Sequence, residues 1–252
     1  MARPKRIIKE LGVNLTKTLF GQNILGTVTH VDTDERVAAL TFDDGPHPDY
    51  TPRLLDILEQ HNAHGTFFIV GKNAQRYPEL VKRMGEAGHA VCNHSWDHAS
   101  FPQLTSSERR AQINKCAAAL GTYDQKIFRP PYGHLCIASR LDALRLGYTV
   151  VMSNVAADDW LNPTPEWMTD KVVTDIKPGS ILLFHDMLYT FEKQEYSDRE
   201  AMLQTMSMLL QRLPDYSFVT LPELFKLGTP VKEFWLKKGN KEWLTNLQSS
   251  ES

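Results

Sequence analysis

The sequence predicts a single α/β domain built on a parallel sheet. Three observations carry this. From Val37 onward, short and wholly apolar runs alternate with longer segments of helical periodicity. The apolar runs lack polar alternation, as strands covered on both faces do. The β–α order repeats along the chain, and a parallel pair needs such a long crossover. An open doubly wound sheet and a closed or nearly closed barrel both satisfy the pattern.

The elements follow in order. "VAALTF" from Val37 is the first strand, and Thr51-Pro52 offers an N-cap and an N1 proline for the helix "RLLDILEQ". "GTFFIV" is the second strand. Pro78 opens the helix "ELVKRMGEA", which Gly88 can end. "HAVCNH" is the third strand. "TSSE" at Thr105–Glu108 fits a capping box, and behind it Ile113, Cys116, Ala117 and Leu120 recur at helical spacing. "KIFRP" is the fourth strand, "ASRLDALRLG" a helix, and "YTVVMSNV" the fifth strand. Thr164 and Pro165 open "TPEWMTDKVVTDI"; "SILLFHD" is the sixth strand, "REAMLQTMSMLLQRL" the next helix and "YSFVTL" the seventh strand. Residues 1–36 read as an N-terminal extension and 226–252 as a peripheral tail whose end frays, leaving 37–225 as the domain.

Composition narrows the function. The 252 residues carry a net charge of −2, so no basic face for nucleic acid is expected. Cys92, Cys116 and Cys136 are odd in number and far apart, which predicts buried free thiols rather than disulfides or a zinc ribbon. The basic start lacks a continuous apolar stretch, and no run approaches membrane-spanning length, so a soluble cytoplasmic protein is expected, with the N-terminal arm packed on the domain.

Polar residues gather at one end of this scheme. Asp43 and Asp44 follow the first strand in "TFDDGP"; His94 ends the third, with His98 four residues on in "HSWDH". Arg129 and Tyr132 sit in "RPPYG", Asp159 and Trp160 in "ADDW", and His185 and Asp186 in "LLFHD". Five segments thus place reactive side chains at strand C-terminal ends, where parallel α/β folds carry their sites. Adjacent carboxylates repel, and neither leaves water easily. A divalent cation on Asp44, His94 and His98 relieves this, since two histidines and a carboxylate form an open ligand set. Asp43 is then a candidate base, steadied by Arg129. His185, from the opposite side of the strand set, is a candidate general acid whose tautomer and pKa Asp159 would set.

Taken together and in order, these five stretches resemble the motifs of the polysaccharide deacetylases of carbohydrate esterase family 4, which share the NodB homology domain. The resemblance spans roughly Val37 to Leu224. It implies a distorted (β/α)7 barrel and a metal-dependent hydrolase that removes N-acetyl, sometimes O-acetyl, groups from N-acetylglucosamine-containing glycans. It further implies Asp43 as base, Asp44, His94 and His98 as ligands of zinc (cobalt or nickel as alternatives), Arg129 as the residue orienting Asp43, and Asp159 as the one tuning the acid His185. The Tyr132 main-chain N–H would bind the oxyanion, and Trp160 and Leu183 would line the acetyl pocket. One departure is Ala156, where the family often has an acid. A second is the missing export signal, which fits a short chitooligosaccharide or a precursor glycan. Activity on O-acetyl esters or a non-sugar amide, and a non-catalytic glycan-binding role, remain alternatives. His47 and His134 read equally as substrate contacts or solvated loop residues, and the methionines of "AMLQTMSMLL" as a packed helix face.

Overall fold

The computed structural model describes residues 25–249. The expected docking of the N-terminal arm lies outside them. The chain runs β1 (Thr27–Asp32), β2 (Val37–Asp43), α1 (Tyr50–Gln60), β3 (Gly65–Ile69), α2 (Gly71–Arg76), α3 (Pro78–Glu86), β4 (Ala90–Asn93), α4 (Ser106–Leu120), β5 (Asp124–Phe128), α5 (Ile137–Arg145), β6 (Thr149–Val150) and β7 (Val155–Ala156). It continues through α6 (Pro165–Asp175), β8 (Ile181–His185), β9 (Thr190–Phe191), α7 (Glu200–Arg212), β10 (Ser217–Phe218), α8 (Leu221–Leu224), β11 (Thr229–Glu233), α9 (Lys241–Thr245) and β12 (Gln248–Ser249).

The main sheet is parallel, in the order β6-β5-β4-β3-β2-β8-β7, with β10 beside the start of β2. Its closure follows from chain connectivity. The two edge strands are consecutive in sequence, β6 ending at Val150 and β7 starting at Val155. So short a link cannot cross a flat sheet at about 3.3–3.6 Å per residue. The sheet therefore curls until its edges come within reach of that link, with β1 between them, giving the distorted (β/α)7 barrel. The run 148–155, expected as one strand, is instead two edge strands separated by the seam.

Residues expected to be peripheral help fill that seam. Val28 bridges Val151 and His30 bridges Ser180, and Val28 and Val31 are buried. Strand β1 pairs antiparallel with β11 from the C-terminal tail. The packing is tight enough to require a glycine: Gly179 has φ +77°, and a Cβ there would lie 1.8 Å from the Val31 carbonyl oxygen. Both terminal regions are thus integral to the fold near residues 27–36 and 229–249.

Several local expectations hold. Thr105 and Glu108 form the capping box of α4, Thr164 caps α6, and Pro78 opens α3. Helix α1 departs from expectation. It begins at Tyr50, so Thr51 lies inside it. The ring nitrogen Nδ1 of His47 accepts from the N–H groups of Asp49 and Tyr50 at 3.1 and 3.3 Å, which frees the Thr51 hydroxyl for other work. Cys92 and Cys116 are buried free thiols, whereas Cys136 is half-buried at the start of α5, where its sulfur accepts from the Ser139 N–H. His134 is buried against Ser100 rather than solvated. Among the described residues no helix is long and apolar enough to cross a membrane.

Every residue of β2 is buried. Phe42 stacks on Phe67 at 5.0 Å and meets Phe184 at 6.1 Å, between sheet and helices. Replacing it by alanine opens a cavity in this layer. Phe42→Ala is expected to cost about 3–5 kcal/mol in a denaturant titration; a loss under about 1 kcal/mol would mean that the layer readily collapses around the gap.

Candidate active site

The strand ends bring the candidates together in one cavity of about 470 Å³, lined by Asp43, Asp44, His94, His98, Arg129 and His185 among others. Asp43 is the last residue of β2, and Asp44 leaves the strand with φ +76°. This left-handed turn is uncommon for a non-glycine residue and separates the two carboxylates. It is held by the Asp44 N–H on the Phe68 carbonyl at 3.1 Å and by the Asn73 amide donating to the Asp44 carbonyl at 2.8 Å. The next residue must be glycine, because a Cβ on Gly45 would lie 2.3 Å from the Asp186 carboxylate.

Each acid has its own partners. Arg129 Nη1 donates to Asp43 Oδ1 at 2.7 Å and to the Thr41 hydroxyl at 2.8 Å, and Nη2 donates to the Met152 carbonyl at 3.2 Å. The guanidinium lies 4.1 Å over the Phe68 ring. It is 1% exposed, so the pair is a dry one. Asp44 Oδ2 accepts from the Tyr189 N–H at 2.8 Å. Its Oδ1 faces His94 Nε2 at 3.3 Å and His98 Nε2 at 3.0 Å. Burial pulls the Asp44 carboxyl upward, but the charge of His98 and the polar contacts of both rings hold it well below the usual carboxylate range.

The two imidazoles are aimed by the loop after β4. Ser95 and His98 both have positive φ, at 70° and 59°. Asn93 Oδ1 accepts from the Ser95 N–H at 3.0 Å, and Ser95 Oγ accepts from the His98 N–H at 3.1 Å. From α4, Gln112 Oε1 accepts from the N–H groups of Trp96 and Asp97 at 2.9 and 3.1 Å. His94 Nδ1 lies 2.8 Å from the Arg129 carbonyl, an acceptor that puts the proton on Nδ1 and leaves the Nε2 lone pair facing Asp44. One atom from each of Asp44, His94 and His98 therefore falls within 4.8 Å of the others. A buried, convergent set of two imidazole nitrogens and one carboxylate oxygen fits a divalent cation. No other donor reaches Asp44 Oδ1 among the described residues.

His185 comes from the side of β2 opposite the strands that carry His94 and Arg129. It is on β8, the direct neighbour of β2, and is in register with Asp43. Its Nδ1 and main-chain N–H both bond Asp159, at 2.9 and 2.8 Å. Burial works against its charge, but the Asp159 carboxylate and this hydrogen bond push its pKa up to about 9. Trp160 meets its ring edge-on at 5.7 Å, and Trp160 and Leu183 line the same cavity. Tyr132 has φ +58°, and its ring packs edge-on against His98 at 4.4 Å. Ala156, in β7, also lines the cavity.

The sequence did not single out Arg199, Thr41, Tyr189 or Asn73. Arg199 is buried and donates to the Asp159 carbonyl at 3.1 Å and carboxylate at 3.3 Å. It precedes α7 in "SDRE", where an arginine ordinarily reads as solvated, so only the fold reveals it. Asp186, quoted within its motif but given no role, is buried and takes the Thr51 hydroxyl. Burial raises its pKa to about 7.

Comparison with known proteins places the chain in a family. The polysaccharide deacetylase family model matches residues 30–151. A peptidoglycan-N-acetylglucosamine deacetylase of Bacillus cereus is 36% identical over 211 residues, covering 80% of this chain and 94% of the relative. A chitooligosaccharide deacetylase of Azorhizobium caulinodans is 31% identical over 196 residues, covering 76% of this chain and 93% of the relative. The crystal structure of a peptidoglycan N-acetylglucosamine deacetylase is similar with a TM-score of 0.74 at 30% identity, covering 80% of this chain and 93% of the other. The chain belongs to the polysaccharide deacetylase family.

Proposed function

We propose that this protein is a metal-dependent hydrolase that removes acetyl groups from the amide nitrogen of N-acetylglucosamine-containing glycans. The observation that carries this reading is the pairing of Asp43 and His185 on adjacent strands beside the Asp44–His94–His98 cluster. Asp44, His94 and His98 would hold the metal, with zinc proposed and cobalt or nickel as alternatives. When bound, the ion supplies Lewis-acid polarisation of the amide carbonyl and of water.

The chain's own residues divide the remaining work. Arg129 occupies Asp43 Oδ1, so Oδ2 is the oxygen left to take a proton from the attacking water. His185 commits Nδ1 to Asp159, so its Nε2 proton is the one given to the leaving amine as the C–N bond breaks. Acetate and a free amine result. The Tyr132 main-chain N–H, set by its left-handed conformation, donates to the developing oxyanion. Trp160 and Leu183 form the apolar seat of the acetyl methyl group.

Three measurements test this reading. Protein stripped of metal and reloaded with zinc is expected to release acetate from N-acetylated chito-oligosaccharides, and the stripped protein is not. No acetate with zinc, cobalt or nickel would overturn the assignment. Asp43→Asn should retain the metal and lose about 10²–10⁴-fold in turnover; full activity in that variant would remove Asp43 from the role of base. In the metal-free protein, NMR titration should place His185 at about 9. Asp159→Asn should bring that value down, because it removes the charge favouring imidazolium. An unchanged value would show that another group sets it.

A further inference from the structure

The C-terminal segment reads in the sequence as a peripheral tail, yet it forms one wall of the catalytic cavity. It is pinned along its length. Strand β11 pairs with β1, and β12 pairs with β9. Between them, the main chains of Leu135 and Lys237 exchange hydrogen bonds at 2.8 and 3.1 Å. Trp235 Nε1 donates to the Gly133 carbonyl at 3.0 Å. Trp243 Nε1 donates to the Glu192 carboxylate at 2.7 Å. Trp235, Lys237, Trp243 and Leu247 all line the cavity that holds Asp43 and His185.

Trp243 is the informative residue. It stays 38% exposed, although a free tail could bury so large an apolar ring elsewhere. Its indole is fixed edge-on against Tyr132 at 5.7 Å and His134 at 6.3 Å, and Tyr132 in turn touches His98. The ring therefore stands two aromatic contacts from a candidate metal ligand, with its orientation set by Glu192. An oriented indole is a platform for the C–H face of a pyranose and loses little conformational entropy on binding. A cavity of about 470 Å³ lies within the range of small-ligand pockets, roughly 300–1,000 Å³. Four residues of this segment, Trp235, Lys237, Trp243 and Leu247, supply one part of the cavity lining, so a glycan entering it meets them.

We propose that residues 235–247 make this a site for the end of a short N-acetylated oligosaccharide, with Trp243 stacking on the sugar next to the one deacetylated. The inference rests on the function proposed above. Trp243 is a specificity-determining residue here, and the wall it belongs to limits the length of chain accommodated on that side.

Calorimetric titration separates this inference from the catalytic assignment, because it needs no turnover. Full-length Asp43→Asn protein is titrated with chito-oligosaccharides of two to six N-acetylglucosamine units, alone and with Trp243→Ala, Trp243→Phe or Trp167→Ala added. Affinity is expected to level off at two or three units. Trp243→Ala should weaken binding about tenfold. Trp243→Phe, which keeps a ring but loses the bond to Glu192, should lose less. Trp167, exposed and outside the cavity, should be silent. Affinity that climbs steadily to six units, indifference to Trp243→Ala, or no binding by any oligomer would each overturn the inference. Acetate release by the unmutated protein at equal kcat/KM for all lengths would uphold the reaction and sink the length limit. Binding that depends on Trp243 without acetate release would do the reverse.

Discussion

Two neighbouring carboxylates buried at one strand end constrain the rest of this structure. Asp43 and Asp44 are 4% and 3% exposed, and unpaired charges so placed would be strongly destabilising. The fold separates them before it neutralises them. The left-handed turn at Asp44 sends one carboxylate to Arg129 and the other to the His94–His98 pair. Arg129 comes from the end of β5, His94 from the end of β4, and Tyr189 from the loop after β8. No one of these is near Asp43 in sequence. The barrel has to form for the aspartates to be tolerated, because their partners are assembled only by the strand pairing.

Closure of the sheet serves the same end. The seam between β6 and β7 is crossed by residues 151–154, and these contribute directly to the site. The Met152 carbonyl accepts from Arg129, and Met152 through Ala156 line the cavity. Strand β1 supports this segment from below through the Val28–Val151 bridge, with the Met152 N–H donating to the Val28 carbonyl at 2.8 Å. A break in regular strand structure thus becomes a cavity wall. The irregular backbone is affordable because β1 satisfies groups that a seventh long strand would otherwise have paired.

The parallel α/β organisation was legible because its signals are local. Apolar runs, capping residues and the β–α repeat follow from sequence periodicity alone. The candidate cluster was legible for a related reason: strand C-terminal ends converge in such folds, so Asp44, His94 and His98 could be placed together without coordinates. What the sequence hid depends on long-range pairing. Splitting 148–155 into two edge strands requires knowing that the sheet closes. The burial of β1 requires β11, nearly two hundred residues away. Arg199 looks like a surface residue until Asp159 is seen behind it, and Trp243 looks like part of a fraying tail until β9 is seen to pair with β12.

Two histidines in this cavity, His98 and His185, are driven in opposite directions, and their partners differ. His98 has its pKa lowered by burial, with Asp44 only partly offsetting it and His94 adding to the lowering. It is therefore neutral near pH 7, the form that can donate a lone pair to a cation. His185 is less enclosed, with its side chain 13% exposed; the Asp159 oxygen facing its Nδ1 is that histidine's own partner, and its pKa rises to about 9. Because this folded-state value lies above the unfolded value of about 6.5, the contribution to stability is complete below pH ~6.5 and is lost as pH rises through about 9. Arg199 modulates the pair. It bonds the other Asp159 oxygen, compensating the buried carboxylate without displacing the imidazole from Oδ1. Under the proposed function, the carboxylate that two imidazoles share would belong to the ligand set, and the one dedicated to a single imidazole would set the acid. That difference in partners, set by which strand ends are neighbours, would let the same side chain serve the two roles proposed for it within one cavity.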